Sequence, residues 1–426
     1  MKLKLVFILF ISLLSPSIFG QESPLFVQDT VNISIPEAEQ RFVSKNLRLL
    51  ISQYDAKIAQ ATYLQAKLWY NPNIYYGTTL YNQADKKFFD NNYPGGLEDN
   101  TIQLQQLLTI GGRHSANAKL LKVGVTQAQY QLADLLRSLK YQMYTDLSDL
   151  YSNQASVKMY QNEEVKIKHM VDITQQLFSK GNAAGEEVIR LQAQYQDVIA
   201  QEITSEQSIN NDEEDLRILL GYSGKTYVVA KLTIPQSVQL PAYQVLVDSA
   251  KKNRPDLLLA MAGVEYNQKN LTLQHASSIP DLTLGVSNIG AGSVIPNYWG
   301  ISASMDLPIF SRNQWSVASA KFGTSQAQLN DSLVSLTVES QVTTSYVNLY
   351  KLNNRLSEIN AQYEQTLDEM MNNAFTNYEK RYISLLDFLS ETTTYIDGKA
   401  NLLNLRMQYF NAIHNLNYTT GIDIIK

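Results

Sequence analysis

Residues 221–226 read GYSGKT, which ends like a phosphate-binding loop. In such a loop a glycine-rich turn, a lysine and a hydroxyl side chain hold nucleotide phosphates and magnesium. The position that needs the first glycine of that motif is Leu219. The segment also follows a predicted helix, whereas a phosphate-binding loop follows a strand. We therefore exclude nucleotide binding at this segment.

The histidines are the other candidates for catalysis or metal binding. They are His114, His169, His275 and His414. Their spacing contains neither an HExxH motif nor the short intervals at which metal ligands recur. No set of Ser, His and Asp can be assembled from the order of the residues. The sequence therefore predicts neither an enzyme, nor a bound cofactor, nor a metal site.

The composition restricts the partners of the chain. The net charge is −5 and the sequence contains no basic block, which argues against nucleic acid as a partner. Because there is no cysteine, neither a disulfide nor a lipid-modified cysteine is expected. Only 18% of the residues are charged, and Gln, Asn, Ser and Thr fill many polar positions. We therefore expect helices whose faces meet other helices or line water.

The first 20 residues predict a secretory signal peptide. Lys2 and Lys4 precede an apolar run over residues 5–14, and cleavage is expected before Gln21. The run is too short to span a bilayer, and no later stretch of about 18 apolar residues follows. We expect a mature protein that leaves the cytoplasm without a helical anchor.

The same order of elements occurs twice, about 200 residues apart, which indicates an internal repeat. Each copy has a long helix, a strand pair and two very long helices. The predicted boundaries are residues 21–235 for the first repeat, with strands at 72–82 and 101–109 and long helices over 113–221, and residues 236–426 for the second, with strands at 281–289 and 298–307 and long helices over 312–420.

The predicted helices are unusually long. No proline occurs between Pro94 and Pro235, and none follows Pro308. Apolar residues recur in steps of 3 and 4, as in coiled-coil seams. Ordinary helix packing explains any one of these stripes. The length of the helices, however, favours a coiled coil or a repeat, because ordinary helices span roughly 8–20 residues.

The predicted strands alternate between apolar and small or polar residues. In the last strand Trp299, Ile301 and Ala303 alternate with Gly300 and Ser302. This pattern is typical of transmembrane β-strands, although a half-buried strand of a soluble sheet has it too. Four such strands behind a signal peptide favour the membrane. The first strand carries tyrosines on both faces, so periodicity alone does not orient it.

Four strands cannot close a barrel, and lipid does not tolerate open sheet edges. Subunits must then share one barrel, with roughly 8 strands in a dimer or roughly 12 in a trimer. The loops over 82–100 and 289–297 are rich in Asn, Gly and Asp, and we expect them outside the cell. The helices would lie on the other side of the membrane, in the periplasm. The predicted fold is a mixed α/β membrane protein.

Two stretches, FSKGNAAGEEV at 178–188 and LDFLSETTTY at 386–395, occupy corresponding places in the two repeats. Through them the chain resembles the TolC-like outer-membrane efflux proteins over nearly all of its mature length. The resemblance implies a homotrimer with a 12-stranded barrel standing on a barrel of helices. It also implies a passive export duct that works with a periplasmic adaptor and an inner-membrane pump. The GGR turn at 111–113 is most similar to the metal-cation efflux branch.

The resemblance also implies where an adaptor docks. In the family the tip of each helical hairpin lies deep in the periplasm, where the duct narrows. The docking residues of the first tip would be Gly181, Asn182, Ala183 and Ala184. The second tip spans residues 380–384, and there Arg381 occupies a position that is usually glycine in the family.

The constriction of the duct is implied in the same way. Asp387 matches an acidic position that faces the duct, and threefold symmetry would give a ring of three. The second acidic position of the family is Ser390 here. Tyr378 and Glu187 match positions that bond between neighbouring hairpins in the closed state. A family arginine that joins this clasp is Ile383 here, which predicts a looser clasp.

Two other classes of function are compatible with parts of the sequence. A periplasmic coiled-coil adaptor or structural protein would account for the helices but would leave the four alternating strands unused. An outer-membrane enzyme fits least, because no catalytic residues are recognisable. The export duct accounts for all of the features together, and it predicts an outer-membrane location with contacts to outer-membrane lipid.

Overall fold

The computed structural model describes residues 29–78, 80–83, 86–89, 100–290, 298–359 and 362–425. The predicted signal peptide and most of the two predicted exterior loops lie outside these ranges. In chain order the elements are β1 (Asp29–Ser34), α1 (Ile35–Lys45), α2 (Leu47–Ala66), β2 (Asn73–Thr78), β3 (Tyr81–Asn82), β4 (Lys87–Phe88), β5 (Asn100–Leu108), α3 (Arg113–Ser179), α4 (Gly185–Leu220), β6 (Thr226–Lys231), α5 (Tyr243–Asn253), α6 (Pro255–Ala276), β7 (Leu282–Ile289), β8 (Tyr298–Met305), α7 (Gln314–Glu358), α8 (Tyr363–Glu379) and α9 (Leu385–Thr420).

The main sheet is antiparallel and has the strand order β2-β5-β7-β8. Its strands therefore come in two hairpin-like pairs that meet between β5 and β7. The strands β1 and β6 form a separate parallel pair. In the chain, β1 precedes α1 and β6 precedes α5. The short strands β3 and β4 follow β2 in the chain and pair with each other. The main sheet leaves β2 and β8 as its two edge strands.

The register of the sheet orients the strand that periodicity left ambiguous. Tyr76 lies opposite Ile102, whereas Tyr75 lies opposite Gln103. Residues opposite each other on paired strands share a face, because side chains alternate with period two. Tyr76 therefore belongs to the apolar face and Tyr75 to the polar face. The apolar face continues through Ile102, Leu104, Val286, Ile301 and Ala303.

The polar face of the sheet is uncharged in the described strands. Gln103 lies opposite Ser287, which lies opposite Gly300, and Gln105 lies opposite Gly285. Glycine at position 285 avoids a steric overlap, because a Cβ there would come within 2.5 Å of the Ser302 hydroxyl oxygen. Amide, hydroxyl and glycine positions thus form one continuous wall.

Below the sheet the helices form a row in which α2 packs on α3, α3 on α6 and α6 on α7. The 67-residue helix α3 would be about 100 Å long at 1.5 Å per residue. Further down, α4 packs along α3 and α9 packs along both α7 and α8. None of the helices in the described ranges has both the length and the hydropathy that a membrane-crossing helix requires.

The predicted second repeat contains an interruption that the sequence did not predict. The helix equivalent to α3 is divided into α7, which ends at Glu358, and α8, which begins at Tyr363. Ile359 has an extended conformation, with φ −75° and ψ 119°. Since neither proline nor glycine occurs near this point, composition gave no reason to divide the helix.

Candidate gate and docking tips

The helical hairpin α3–α4 and the hairpin α8–α9 end in tips with the same backbone geometry. Gly181 has a φ of 74° and Arg381 a φ of 61°, so both lie in the left-handed region. In the first tip the Gly181 amide donates to the Phe178 carbonyl at 2.9 Å, and the Asn182 amide donates to the Leu177 carbonyl at 2.8 Å.

The second tip repeats this pattern of hydrogen bonds. The Arg381 amide donates to the Tyr378 carbonyl at 2.9 Å, and the Tyr382 amide donates to the Asn377 carbonyl at 2.7 Å. This pair of bonds defines a Schellman motif, in which a left-handed residue closes the helix. The arginine at position 381 therefore keeps the tip geometry that glycine gives at position 181.

A left-handed backbone is unfavourable for a non-glycine residue by roughly 1–2 kcal/mol. The side chain of Arg381 makes contacts that offset part of this. Its guanidinium Nη1 lies 2.7 Å from the Glu187 carboxylate Oε2, in the other hairpin. The Cζ atom of Arg381 lies 5.6 Å from the centre of the Tyr378 ring. We call the contact between Arg381 and Glu187 the tip ion pair.

Glu187 and Asp387 occupy equivalent positions, each being the third residue of its helix. The residue before α9 is Ser384, whose hydroxyl donates to the Asp387 Oδ2 at 2.7 Å. The Asp387 amide donates back to that hydroxyl at 3.2 Å, which completes a capping box. These hydrogen bonds from the Ser384 side chain and backbone lower the pKa of Asp387. The residue before α4 is Ala184, which has no side chain to cap with, so the Glu187 carboxylate is available to Arg381.

The other predicted gate residues have different environments. Tyr378 is buried and its ring stacks on Phe388 at 4.8 Å between centres. That burial raises the pKa of Tyr378. Asp387 and Ser390 are both exposed and lie about one turn apart on α9. The structure thus brings Arg381 and Glu187 together, and it leaves Asp387 and Ser390 on an open face of the second hairpin.

An apolar cluster joins the two hairpins above their tips. Met170 of α3 and Leu191 of α4 are buried in the same cluster as Leu367, Met371 and Phe388 of the second hairpin.

Higher up, ion pairs fix α8 to α9. Lys399 contacts Glu364 at 3.2 Å and Asp368 at 2.9 Å, and Arg406 contacts Glu364 at 2.8 Å. The second hairpin is therefore held along its length, and the exposed tip lies at its lower end.

Two largely buried groups, one in α3 and one near the end of α9, have strongly shifted pKa values. Burial lowers the pKa of His414 to about 4, and its ring stacks on Tyr144 at 3.6 Å. Burial, together with the nearby Asp215 and other aspartates, raises the pKa of Asp146 to about 7. Within the described ranges, His, Asp and Glu side chains form no group of three or more that could hold a metal ion.

Sequence reasoning missed the tip ion pair and the capping box. The ion pair had no local signal, since its partners are far apart in the chain. The capping box did have one, because a serine followed three positions later by an acidic residue marks a helix start. Ser384 and Asp387 have this spacing, whereas Ala184 and Glu187 do not.

Comparison with known proteins shows a similarity to one family. The model of the family described as outer membrane efflux protein matches residues 246–421. The chain is similar to this family over that part of its length. The resemblance inferred from the two tip stretches is thereby confirmed.

Relatives of known sequence extend the match beyond residues 246–421. Outer membrane protein TolC of Vibrio cholerae serotype O1 is 22% identical over 312 residues, which cover 69% of this chain and 70% of that protein. Outer membrane protein TolC of Salmonella enteritidis is 24% identical over 282 residues, which cover 61% of this chain and 56% of that protein.

Solved structures of outer-membrane channels share the fold of this chain. The outer membrane protein VceC of Vibrio cholerae superposes with a TM-score of 0.69 at 16% identity, covering 91% of this chain and 96% of that one. The open MtrE channel of Neisseria gonorrhoeae superposes with a TM-score of 0.70 at 14% identity, covering 92% and 89%. CusC superposes with a TM-score of 0.72 at 15% identity, covering 91% and 92%.

Proposed function

We propose that this efflux protein is the outer-membrane duct of a tripartite efflux system. It passively conducts substrates from an inner-membrane pump and a periplasmic adaptor to the exterior. Three copies form the duct, so that a barrel of roughly 12 strands stands on a barrel of helices. The strands lie in the outer membrane and the helices in the periplasm. Each chain supplies two structural repeats, 21–235 and 236–426.

The observation that supports this proposal is that the helix row and the four-stranded sheet of one chain each have two unpartnered edges. The helix α2 packs on α3 through one side and exposes an apolar stripe on the opposite side. The stripe consists of Leu47, Ile51, Tyr54 and Ile58, which are 62–68% exposed. Their steps of 4, 3 and 4 make a coiled-coil seam that has no partner helix within the row.

The helix α7, at the other end of the row, has a matching stripe. It consists of Trp315, Phe322, Leu329, Leu333 and Leu336, which are 61–80% exposed. The side of α7 that packs inside the chain is different, and it includes Val338, Val342 and Leu349. Large exposed apolar stripes mark interaction sites. Packing α7 of one copy on α2 of the next covers both stripes and continues the row into a ring.

The sheet, like the row of helices, needs a neighbouring copy at each of its two edges. Its edge strands β2 and β8 carry unpaired backbone groups, which lipid does not tolerate. Pairing β8 of one copy with β2 of the next removes both edges. The apolar face, with Ile74 at 73% and Ile301 at 89% exposure, would then face lipid. The uncharged polar face would line the pore.

We place the constriction and the docking site at the hairpin tips. Asp387 would contribute a ring of three carboxylates, which favours cations in a narrow passage. Ser390 would leave a second ring uncharged.

The adaptor would dock on the first tip at Gly181, Asn182, Ala183 and Ala184, where small side chains allow close approach. At the second tip, Arg381 would present its charged side chain beside that surface.

Two measurements on the detergent-extracted protein test the proposal. The mass of the complex should be that of three chains, and the complex should form ion-conducting channels in planar lipid bilayers. Fractionation of cells should recover it with the outer membrane. A soluble protein without conductance would refute the duct and would favour a periplasmic adaptor. A monomer that conducts would refute the shared barrel.

A further inference from the structure

The parallel pair of β1 and β6 has two outer edges, and side chains close the edge that belongs to β6. The Val228 amide donates to the Glu213 carboxylate Oε1 at 2.8 Å. The Gln154 side chain donates to the Val228 carbonyl at 2.6 Å and accepts from the Ala230 amide at 3.1 Å. Side chains of α3 and α4 therefore take the place that a third strand would occupy beside β6.

These bonds also determine which backbone groups of β1 point outward. Since the Val228 and Ala230 groups point away from β1, those of Val229 between them point toward it. Val229 lies opposite Asn32. In a parallel ladder a residue bonds to the two neighbours of the residue opposite it, and not to that residue itself. The N–H and C=O groups of Asn32 therefore point away from β6, and so do those of Thr30, two positions earlier.

The outer edge of β1 is open at these two residues. The next outward amide, that of Ser34, donates to the Glu37 carboxylate Oε2 at 2.9 Å. Within the described ranges the outward groups of Thr30 and Asn32 have no such contact, and both residues are exposed. Unpaired N–H and C=O groups on an edge strand are a template for pairing with another chain. We call Thr30 and Asn32 the open edge.

We propose that the open edge binds an extended segment of a partner protein, which adds a third strand to this sheet. Strand addition takes its affinity from main-chain hydrogen bonds and its specificity from alternate side chains. The open edge offers two amides and two carbonyls for those bonds. It is separate from the hairpin tips and from the edges at which copies would meet, so the inference does not rest on the proposed duct.

The surroundings of the open edge define the chemistry of the partner segment. On the inner face of the sheet Val31 is half-buried beside Ile33, which is 1% exposed. Residues of the segment that continue this face are therefore apolar. The other face, at Thr30 and Asn32, is exposed, so the residues that alternate with the apolar ones are polar. The exposed carboxylate of Asp29 favours a lysine or arginine at that end.

A peptide of this chemistry tests the open edge on the full-length, detergent-extracted protein. The probe is the acetylated and amidated peptide KTVTVT, and the readout is residue-resolved amide hydrogen exchange. Without the peptide, exchange should be fast at Thr30 and Asn32 and slow at Val31 and Ile33, whose amides bond to β6. Peptide at roughly 2 mM should slow exchange at the open edge at least about twofold, which corresponds to a Kd of about 2 mM or tighter.

Either of two results would overturn the inference. Exchange at the open edge that does not respond to the peptide would show that β1 does not accept a further strand. Slow exchange at both residues before the peptide is added would show that this chain or a second copy already covers the edge. The control is the same peptide with all of its backbone amides methylated, which cannot donate to the carbonyls of β1 and should have no effect.

Two variants separate the open edge from the fold of the pair. Thr30→Pro removes an outward N–H, and proline is tolerated at an edge position whose N–H faces solvent. Thr30→Val keeps that N–H. The peptide should therefore slow exchange at Asn32 in Thr30→Val but not in Thr30→Pro, and an equal response of the two variants would contradict the proposal. Slow exchange at Ile33 confirms that β1 still pairs with β6; if Thr30→Pro loses it, the methylated peptide decides instead.

Cysteine labelling tests for a natural partner, because the chain has no cysteine of its own. Asn32→Cys is compared with Gln40→Cys, which lies at an exposed site of α1. Relative to that control, Asn32→Cys should react with a small maleimide at least about threefold more slowly in intact cells than in the purified complex, since a bound strand shields it. Equal relative rates in cells and in the purified complex would overturn the inference.

Discussion

The exposed stripe on α2 gives the sharpest test of how copies assemble. We consider replacing Ile51 and Ile58 with aspartate in one variant. Both side chains are 62% exposed in the single chain. Full burial of an isoleucine contributes about 1.5–3 kcal/mol, so covering the exposed three-fifths contributes about 1–2 kcal/mol for each side chain.

The loss of apolar burial adds up around a closed ring. Two positions in each of three seams give about 6–12 kcal/mol of lost apolar burial. Burying unpaired carboxylates in the seam adds a further penalty. In the separate chain, however, both positions face water, and the change in helix propensity amounts to a few tenths of a kcal/mol per residue. The variant should therefore fold as a chain but fail to assemble.

The assay is native mass measurement of the detergent-extracted protein, with circular dichroism to confirm the helices. Arg48→Glu is the matched control, because it changes the net charge by the same amount at an exposed site of α2 outside the stripe. We expect the control to assemble as the wild type does. A three-chain complex of Ile51→Asp/Ile58→Asp would refute the assignment of this stripe to the seam.

Three further predictions concern docking, the gate and acid stability. Replacing Ala183 or Ala184 with arginine should abolish export in cells while the extracted complex keeps its mass, because a bulky charged side chain blocks close approach; export that survives both changes would remove the first tip as the docking surface. Asp387→Asn should lower the cation preference read from the reversal potential, and Ser390→Asp should raise it; unchanged values in both variants would place these residues away from the duct wall. Burial lowers the pKa of His414 to about 4, so the folded state favours its neutral form. This preference contributes about 3 kcal/mol to the free energy of unfolding at pH values above the unfolded-state pKa near 6.5. The contribution is lost as the pH falls toward 4. His414→Phe should accordingly narrow the difference in melting temperature between pH 7.5 and pH 4.5, and an unchanged difference would contradict this.

Local patterns in the sequence were enough to predict the strands and the long helices. Period-two alternation at Trp299 to Met305 indicated a strand, and the absence of proline after Pro308 indicated very long helices. The structure has a strand at Tyr298–Met305 and helices of 45, 17 and 36 residues after Pro308. These signals are readable because they depend only on neighbours one to four positions away along the chain.

Other features depended on contacts that no local pattern encodes. Tyr75 and Tyr76 are the same residue type at adjacent positions, and only the pairing with β5 assigns them to opposite faces. The division between α7 and α8 has no breaker residue to mark it. Arg381 keeps the left-handed conformation of the second tip although arginine is disfavoured in it, and the sequence alone gave no sign of this.

The sequence by itself determined the alternating strands, the long helices and the resemblance of the two tips. The tertiary structure decided how those parts face each other. It placed Arg381 against Glu187, 194 positions away in the chain, and it left the stripes of α2 and α7 at opposite ends of one row. The physical reason is that strand and helix patterns are set by short-range geometry. The role of a left-handed arginine or of an unpartnered apolar stripe depends on which surfaces the tertiary packing brings beside it.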